Sequence, residues 1–236
     1  MTNLTDALLD PLLSDNPMGP SVTYYDDASG ERIELSTVTL ANWAAKTANL
    51  MRDELGAGPG SRVAVLLPAH WQTVAVLLGV WWIGAEVVYT GPADIALCTV
   101  DRMAEADEVT ADGEVAVLSM DPFGKPAAGL PIGVTDYATA VRVHGDQVTP
   151  ERSPGPALDG RSVDEVLGAA RRSAETHGLS AADRVMSSLS WSTPHQIVDN
   201  LLAVLAAGAS LVQVANADRA LLDRRRMTEK VTRTLE

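Results

Sequence analysis

The stretch SPGPALDGRSVDEVLGAARRS, residues 153 to 173, is laid out like a loop that holds phosphate: glycines come first, then an amphipathic helix whose free amides and dipole favour an anion. Ser153, Gly155, Asp159, Gly160 and Arg161 would form that slot. Its chemistry argues the other way. Pro154 and Pro156 have no N–H to donate, there is no run of hydroxyls and no lysine, and Asp159, Asp164 and Glu165 place negative charge where a polyphosphate would approach. At ~4 Å and an effective dielectric of ~20, each like-charge contact costs about 4 kcal/mol, more than Arg161 alone returns. The loop is expected to be a hinge, with Asp159 or Ser162 capping the next helix and Asp164 and Glu165 favourable in its first turn.

A second candidate is a ligand cleft formed by His70 and Trp71, which follow the carboxyl end of a strand, together with Ser190, Trp191, Thr193 and His195. Their alternative role is packing and helix starts, since a site-forming loop usually gathers more polar groups. His195 and Asp199, at i and i+4, with His70, are too scattered to specify a metal. Ser187, Ser188, Ser190 and Ser192 have neither the Gly-x-Ser-x-Gly elbow nor a matched base, so they are expected at strand ends and turns. FGKP at 123 to 126 lacks the glycine and hydroxyl of a Walker loop. No catalytic residue, metal ligand or cofactor is assigned.

These residues sit on a chain of 236 residues, 46% hydrophobic and 21% charged, enough for one large or two small domains. With 18 basic against 31 acidic residues the net charge is -13, the wrong sign for a nucleic-acid phosphate backbone. A single cysteine, Cys98, and an acidic N-terminus with no basic region before an apolar run suggest a cytoplasmic protein. Residues 63 to 91 are long and apolar enough to imitate a membrane span, but Pro68, His70, Gln72, Gly84 and Glu86 divide them into strands and one buried helix. Of Trp81 and Trp82 in that helix, one is expected in the core and the other facing a second lobe or a second chain.

The apolar spacing predicts a helix before Gly19, a β-hairpin turning at Asp27 to Gly30, and a helix from Leu40 to Leu55 stopped by GAGPG. RVAVLLPAHWQTVAVLLGVWWIGAEVVYT from Arg62 and RVMSSLSWSTPHQIVDNLLAVLAAGASLVQV from Arg184 repeat one order: an Arg-Val strand, a loop with Trp, Pro and His, an apolar helix, Gly-Ala, then a Val-rich strand. DIALCTV and EVAVLSM read as further strands around the helix DRMAEAD, DYATAVRVHGDQV as a short helix and strand, and the last segment as a helix followed by the start of a strand. The fold class is α/β: parallel sheets with helices on both faces, in two related lobes, the second incomplete. The expected domains are 1–150, including the N-terminal helix and hairpin, and 151–236.

In that order these motifs resemble the N-terminal part of the adenylate-forming enzymes, the acyl-CoA synthetase and adenylation-domain superfamily. More narrowly, the chain resembles a group of short actinobacterial proteins that match only this front portion. The resemblance implies an ATP phosphate loop rich in Ser, Thr and Gly and ending in Pro-Lys-Gly, where this sequence has SPGPALDGRSVDEV. It implies a Pro-Leu-Phe-His type turn where Ser190 to Thr193 stand, with His195 two positions late. The family's adenine, ribose and Mg contacts and its catalytic Lys would fall beyond Glu236. The expectation is a non-catalytic relative acting as an interaction or regulatory module, through self-association or a protein partner. The alternatives are a split-enzyme subunit that supplies an acyl or amino-acid pocket, and a binder of a nucleotide or acyl small molecule.

Overall fold

The computed structural model describes residues 2–111 and 113–236. In chain order the elements are α1 (Leu4–Asp15), β1 (Pro20–Asp26), β2 (Glu31–Ser36), α2 (Thr37–Asp53), β3 (Arg62–Leu66), α3 (Trp71–Trp82), β4 (Glu86–Val88), β5 (Ile95–Thr99), α4 (Met103–Thr110), β6 (Glu114–Leu118), β7 (Thr135–Asp136), α5 (Tyr137–Ala140), α6 (Val163–Thr176), β8 (Arg184–Ser187), α7 (Pro194–Ile197), a π turn (Val198–Leu202), α8 (Ala203–Ala206), β9 (Ser210–Ala215), α9 (Arg219–Thr228) and β10 (Arg233–Leu235). No helix among the described residues is long and apolar enough to cross a membrane.

The chain folds as two units. One comprises the residues up to Asp6, 41–67 and 72–163, and its sheet runs β4-β3-β5-β6-β7 with every pair parallel. β3, β5 and β6 each bury all but one residue, as strands covered on both faces must. Ala64, Leu66, Ala96, Cys98, Val115 and Val117 form a core cluster with Ala106 of α4. The other unit holds 7–40, 68–71 and 164–236, and its sheet runs β10-β8-β9-β1-β2, parallel except for the antiparallel hairpin β1-β2.

The expected repeat is reproduced at the level of single hydrogen bonds. α3 stops at Gly84 (φ 75) with bonds from Gly84 N to Trp81 O and Ala85 N to Val80 O. α8 stops at Gly208 (φ 76) with the same two, from Gly208 N to Leu205 O and Ala209 N to Val204 O. Both are Schellman stops, in which the left-handed backbone favours glycine. Each following strand starts alike, Glu86 N bonding Ser61 O and Ser210 N bonding Asp183 O. On the other side, β3 takes β5 through Asp94 N to Arg62 O, and β8 takes β10 through Thr232 N to Arg184 O.

Three expectations need correction. The hairpin, placed in the first lobe, belongs to the second sheet: β1 pairs in parallel with β9, Val22 opposite Leu211 and Asp26 opposite Ala215. The boundary expected at 150/151 falls after Val163, because backbone bonds from Glu151, Gly155, Ala157 and Asp159 keep this segment in the first unit. The strand expected within DYATAVRVHGDQV does not form. Lys46 Nζ donates to His144 O, and Asn49 Nδ2 to Gly145 O and Gln147 O, occupying carbonyls that a ladder would use. Of the two tryptophans, Trp81 is buried and donates to Ala157 O, while Trp82 is half-buried and donates to Asp6 of α1.

In the second unit, one face of the sheet packs Tyr25, Met186, Val212 and Val214 against Leu222 and Val231. Glu229, just past α9, closes the edge of this cluster and accepts hydrogen bonds from Tyr25 Oη, Arg32 Nε and Arg184 Nη2. Burial pushes the Glu229 carboxyl up, and these bonds outweigh it, holding the group below the usual glutamate range. Asp27, whose side chain is 1% exposed, pairs with Arg225, whose guanidinium lies 3.9 Å from the Tyr25 ring centroid.

A depressed carboxylate contributes stability above its unfolded pKa and loses it as pH falls through its folded pKa. Glu229→Ala, which leaves Arg184 only the more exposed Glu34 at 3.4 Å, is expected to cost on the order of 3 kcal/mol near pH 7, part of the Arg32 share being screened by solvent. The deficit relative to the unsubstituted protein should shrink as pH drops below the ordinary glutamate range. Urea denaturation at about pH 7 and about pH 3 measures both, and an equal deficit at the two pH values contradicts the assignment.

Candidate functional site

The phosphate-loop slot, 153 to 162, is a strap bonded along β4. Ser153 N donates to Glu151 Oε1, and Gly155 N to Gly84 O. Asp159 N reaches Val87 O while Val87 N reaches Ala157 O, so Leu158 forms a parallel bridge with Val87. Leu158 and Arg161 exchange both backbone bonds across Asp159 (φ 42) and Gly160 (φ 77). With both central residues left-handed, Asp-Gly makes the type I′ turn that suits a tight hairpin. Ala157 N also donates to Arg161 O, at 2.7 Å.

Both glycines that suggested a phosphate cradle therefore have local tasks. Gly160 supplies the turn, and its amide donates to Glu86 Oε1, a carboxylate that is itself buried. Gly155 permits close approach, since a Cβ there would lie 3.2 Å from Gly60 N. The Asp159 carboxylate accepts from Tyr89 N at 2.9 Å. This corrects two expectations. Of the two cap candidates Asp159 is out, because Tyr89 N, just past β4, takes its carboxylate, while Ser162 is the residue directly before α6; and the slot is a clamp rather than a hinge, because its non-proline amides from 155 to 161 are all bonded within the first unit. α6 starts at Val163 with Asp164 and Glu165 in its first turn, as expected.

The cleft residues belong to the second unit. His70 is 2% exposed; its ring meets Tyr24 edge-on at 4.3 Å, and its Nε2 lies 3.7 Å from Glu31 Oε1. Trp71, also buried, lies 5.6 Å from His70 between ring centroids. Trp191 is buried, whereas Ser190, Ser192 and Thr193 are exposed. Thr193 Oγ1 accepts from Gln196 N and Gln196 Oε1 accepts from Ser192 N, a reciprocal helix start with Pro194 in the first turn. His195 is 87% exposed and pairs with Asp199 at 3.0 Å along the same helical face. The loop before it is tied by Asn200 Nδ2 to Ser190 O and by Gln213 Nε2 to Leu189 O. Among the described residues, no group of three or more His, Cys, Asp and Glu could hold a metal ion.

Sequence reasoning missed Glu86 and Tyr89 as the strap's partners. Glu86 was noticed only as a charge ending an apolar run, although a lone carboxylate in a buried strand needs a donor, which was the available signal. It also missed the Glu229 network, whose members are separated by up to 204 residues along the chain.

The AMP-binding enzyme family matches residues 16–114. Among solved structures, an acyl-CoA synthetase of Brucella canis superposes with a TM-score of 0.81 at 19% identity, over 98% of this chain and 46% of that one. Apo MbtA of Mycobacterium smegmatis gives 0.76 at 21% identity, over 99% and 48%. The chain thus has the fold of the N-terminal portion of these enzymes and spans about half the length of the solved relatives. A protein of Mycobacterium tuberculosis (strain ATCC 25618 / H37Rv) is 68% identical over 239 residues, 99% of this chain and 98% of that protein. Because that likeness runs nearly end to end, the chain belongs with it to the family of TIGR03089 proteins.

Proposed function

We propose that this chain is a non-catalytic relative of the adenylate-forming enzymes that acts as an interaction or regulatory module. One observation carries the reading: the backbone amides of the slot equivalent to the ATP phosphate loop are consumed by β4, by Glu86 and by the strap's own turn. To grip phosphate, each amide would first break a bond and leave a buried carbonyl or carboxylate unsatisfied, at about 1–3 kcal/mol each. Glu86 and Asp159 add two carboxylates at the same place. The arrangement of His70, Trp71 and Trp191 supports packing as their role, and that of Thr193 supports a helix cap. Cys98 is buried, and burial with the nearby Asp107 pushes its thiol up to about 11, so it is a poor nucleophile; its being the single cysteine supports a cytoplasmic protein.

Two measurements test the reading. A ligand present at a hundredfold its dissociation constant adds about 2.7 kcal/mol of stability. Millimolar MgATP is expected to leave the melting temperature unchanged, and ATP–pyrophosphate exchange with any carboxylic acid should be absent; exchange above background sinks the proposal. In hydrogen exchange, the amides of Gly155 and of 157 to 161 are expected to be protected like those of β4. Glu86→Ala should release Gly160 first. Exchange of these amides at open-loop rates in the unsubstituted protein contradicts the clamp.

A further inference from the structure

In the second unit, β2 is the outer strand of the sheet β10-β8-β9-β1-β2, and in its run ERIEL, residues 31 to 35, an arginine and a glutamate flank Ile33. The hairpin fixes which way each of these residues turns its main chain. Asp27 N bonds Ala215 O of β9, so by the alternation of an extended strand Tyr25 and Thr23 also turn toward β9, while Asp26, Tyr24 and Val22 turn toward β2. Their partners across the hairpin are Glu31, Ile33 and Leu35. Arg32 and Glu34 therefore turn their N–H and C=O groups outward, both residues are exposed, and among the described residues no strand pairs with that side.

An edge of this kind is a template for another strand unless its side chains forbid pairing. Antiparallel pairing of β2 with itself about a two-fold axis must set outward residues against outward residues, so the axis passes through a residue. Centred on Arg32 it opposes arginine to arginine, and centred on Glu34 it opposes glutamate to glutamate. Centred on Leu35 it leaves Glu34 opposite Ser36. Centred on Ile33, it places Arg32 opposite the partner's Glu34 and Glu34 opposite the partner's Arg32, each pair exchanging both main-chain bonds. Ile33 then meets its own copy in the non-hydrogen-bonded position, where side chains come closest. Opposite charges on facing residues favour a strand pair and like charges oppose it, so the charges select this register. Within one chain the Arg32 and Glu34 side chains lie 2.8 Å apart and remain 44% and 38% exposed, so a second copy extends an existing ion pair into an alternating network.

We infer that the outer edge of β2 is a self-association surface, on which a second copy of this chain adds its own β2 antiparallel about Ile33, with Arg32 against the partner's Glu34 on both sides of the axis. The main-chain bonds supply attraction, and the crossed charges supply register and selectivity. A foreign segment would have to reproduce the same order of charges, which the chain already carries in itself. The inference rests on the reading above that the chain is an interaction module. It adds which partner docks and on which strand.

The test uses the full chain in about 0.15 M salt, where the repulsion from a net charge of -13 is screened beyond about 8 Å. Sedimentation equilibrium should show monomers and dimers exchanging in the micromolar range, since one short strand buries less than a standard interface. Ile33→Cys keeps every charge and every ladder bond. It should form a disulfide between copies under mild oxidation, because a non-hydrogen-bonded pair brings Cα atoms to about 4.5 Å, whereas Ser29→Cys in the exposed turn should cross-link about tenfold more slowly. Native Cys98 is buried and stays out of the reaction. Arg32→Glu and Glu34→Arg should each weaken the dimer about tenfold, and mixing the two should restore it, because each then offers the charges that the other needs. A folding defect cannot produce that rescue, and if either charge variant fails to fold by circular dichroism the cross-linking rates decide. The inference is overturned by a monomer at every concentration, by Ile33→Cys cross-linking no faster than Ser29→Cys, or by folded charge variants that keep the dimer alone or do not regain it when mixed. ATP–pyrophosphate exchange separates the two readings: exchange defeats the non-catalytic reading whatever the dimer does, and a monomer without exchange defeats only this inference.

Discussion

A backbone N–H can be fully given to only one strong acceptor at a time, and the segment from 153 to 162 has already given its own. Gly155 bonds Gly84, Asp159 bonds Val87, Gly160 bonds Glu86, and Ala157, Leu158 and Arg161 bond one another. A loop that holds phosphate does so with free amides, so this slot departs from that chemistry in donor availability as much as in its missing lysine. Trp81 strengthens the commitment by donating from its indole to Ala157 O, joining the strap to the helix before β4. Parting the strap from β4 would therefore disturb main-chain bonds, a buried carboxylate and a buried tryptophan together.

The two units make the same use of a strand's free side in different degrees. Within the second, β9 takes β1 from Val22 to Asp26 as a parallel neighbour, with Leu211 opposite Val22. Within the first, the corresponding position on β4 is Val87, and its parallel partner is the single residue Leu158. The strap thus stands where a strand stands in the sister sheet, shortened to one bridge and turned back at once by Asp159 and Gly160. Glycine-rich sequence here serves compact edge pairing, and prolines on either side of Gly155 suit a segment that forms no further ladder.

Local features were legible in the sequence because their causes are local. The stops at Gly84 and Gly208, the hairpin over Asp27 to Gly30, and the strands apolar on both faces all follow from a few adjacent residues, and the structure contains them. The partner of β1 was not legible, since parallel pairing with β9 joins residues far apart and leaves no spacing signal in either strand. At the candidate site, the unsuitability of 153 to 162 for phosphate could be read from Pro154, Pro156 and Asp159. Its rigidity could not, because that comes from Glu86 and Tyr89, some 70 residues upstream. The final strand at Arg233 to Leu235 was visible as a fragment, but its place at the outside of a sheet was not.

The turn at Asp159 and Gly160 has a consequence for how the protein ages. Aspartate followed by glycine is among the pairs most prone to spontaneous rearrangement, in which the glycine nitrogen attacks the aspartyl carboxyl with loss of water, closing a five-membered imide that water reopens with the chain rerouted through the β-carbon. Here the nitrogen holds its proton against Glu86 and the side chain is turned to Tyr89 N, so neither reactant is free to swing into line. The bonds that close the slot also protect its most vulnerable peptide link from chemical wear.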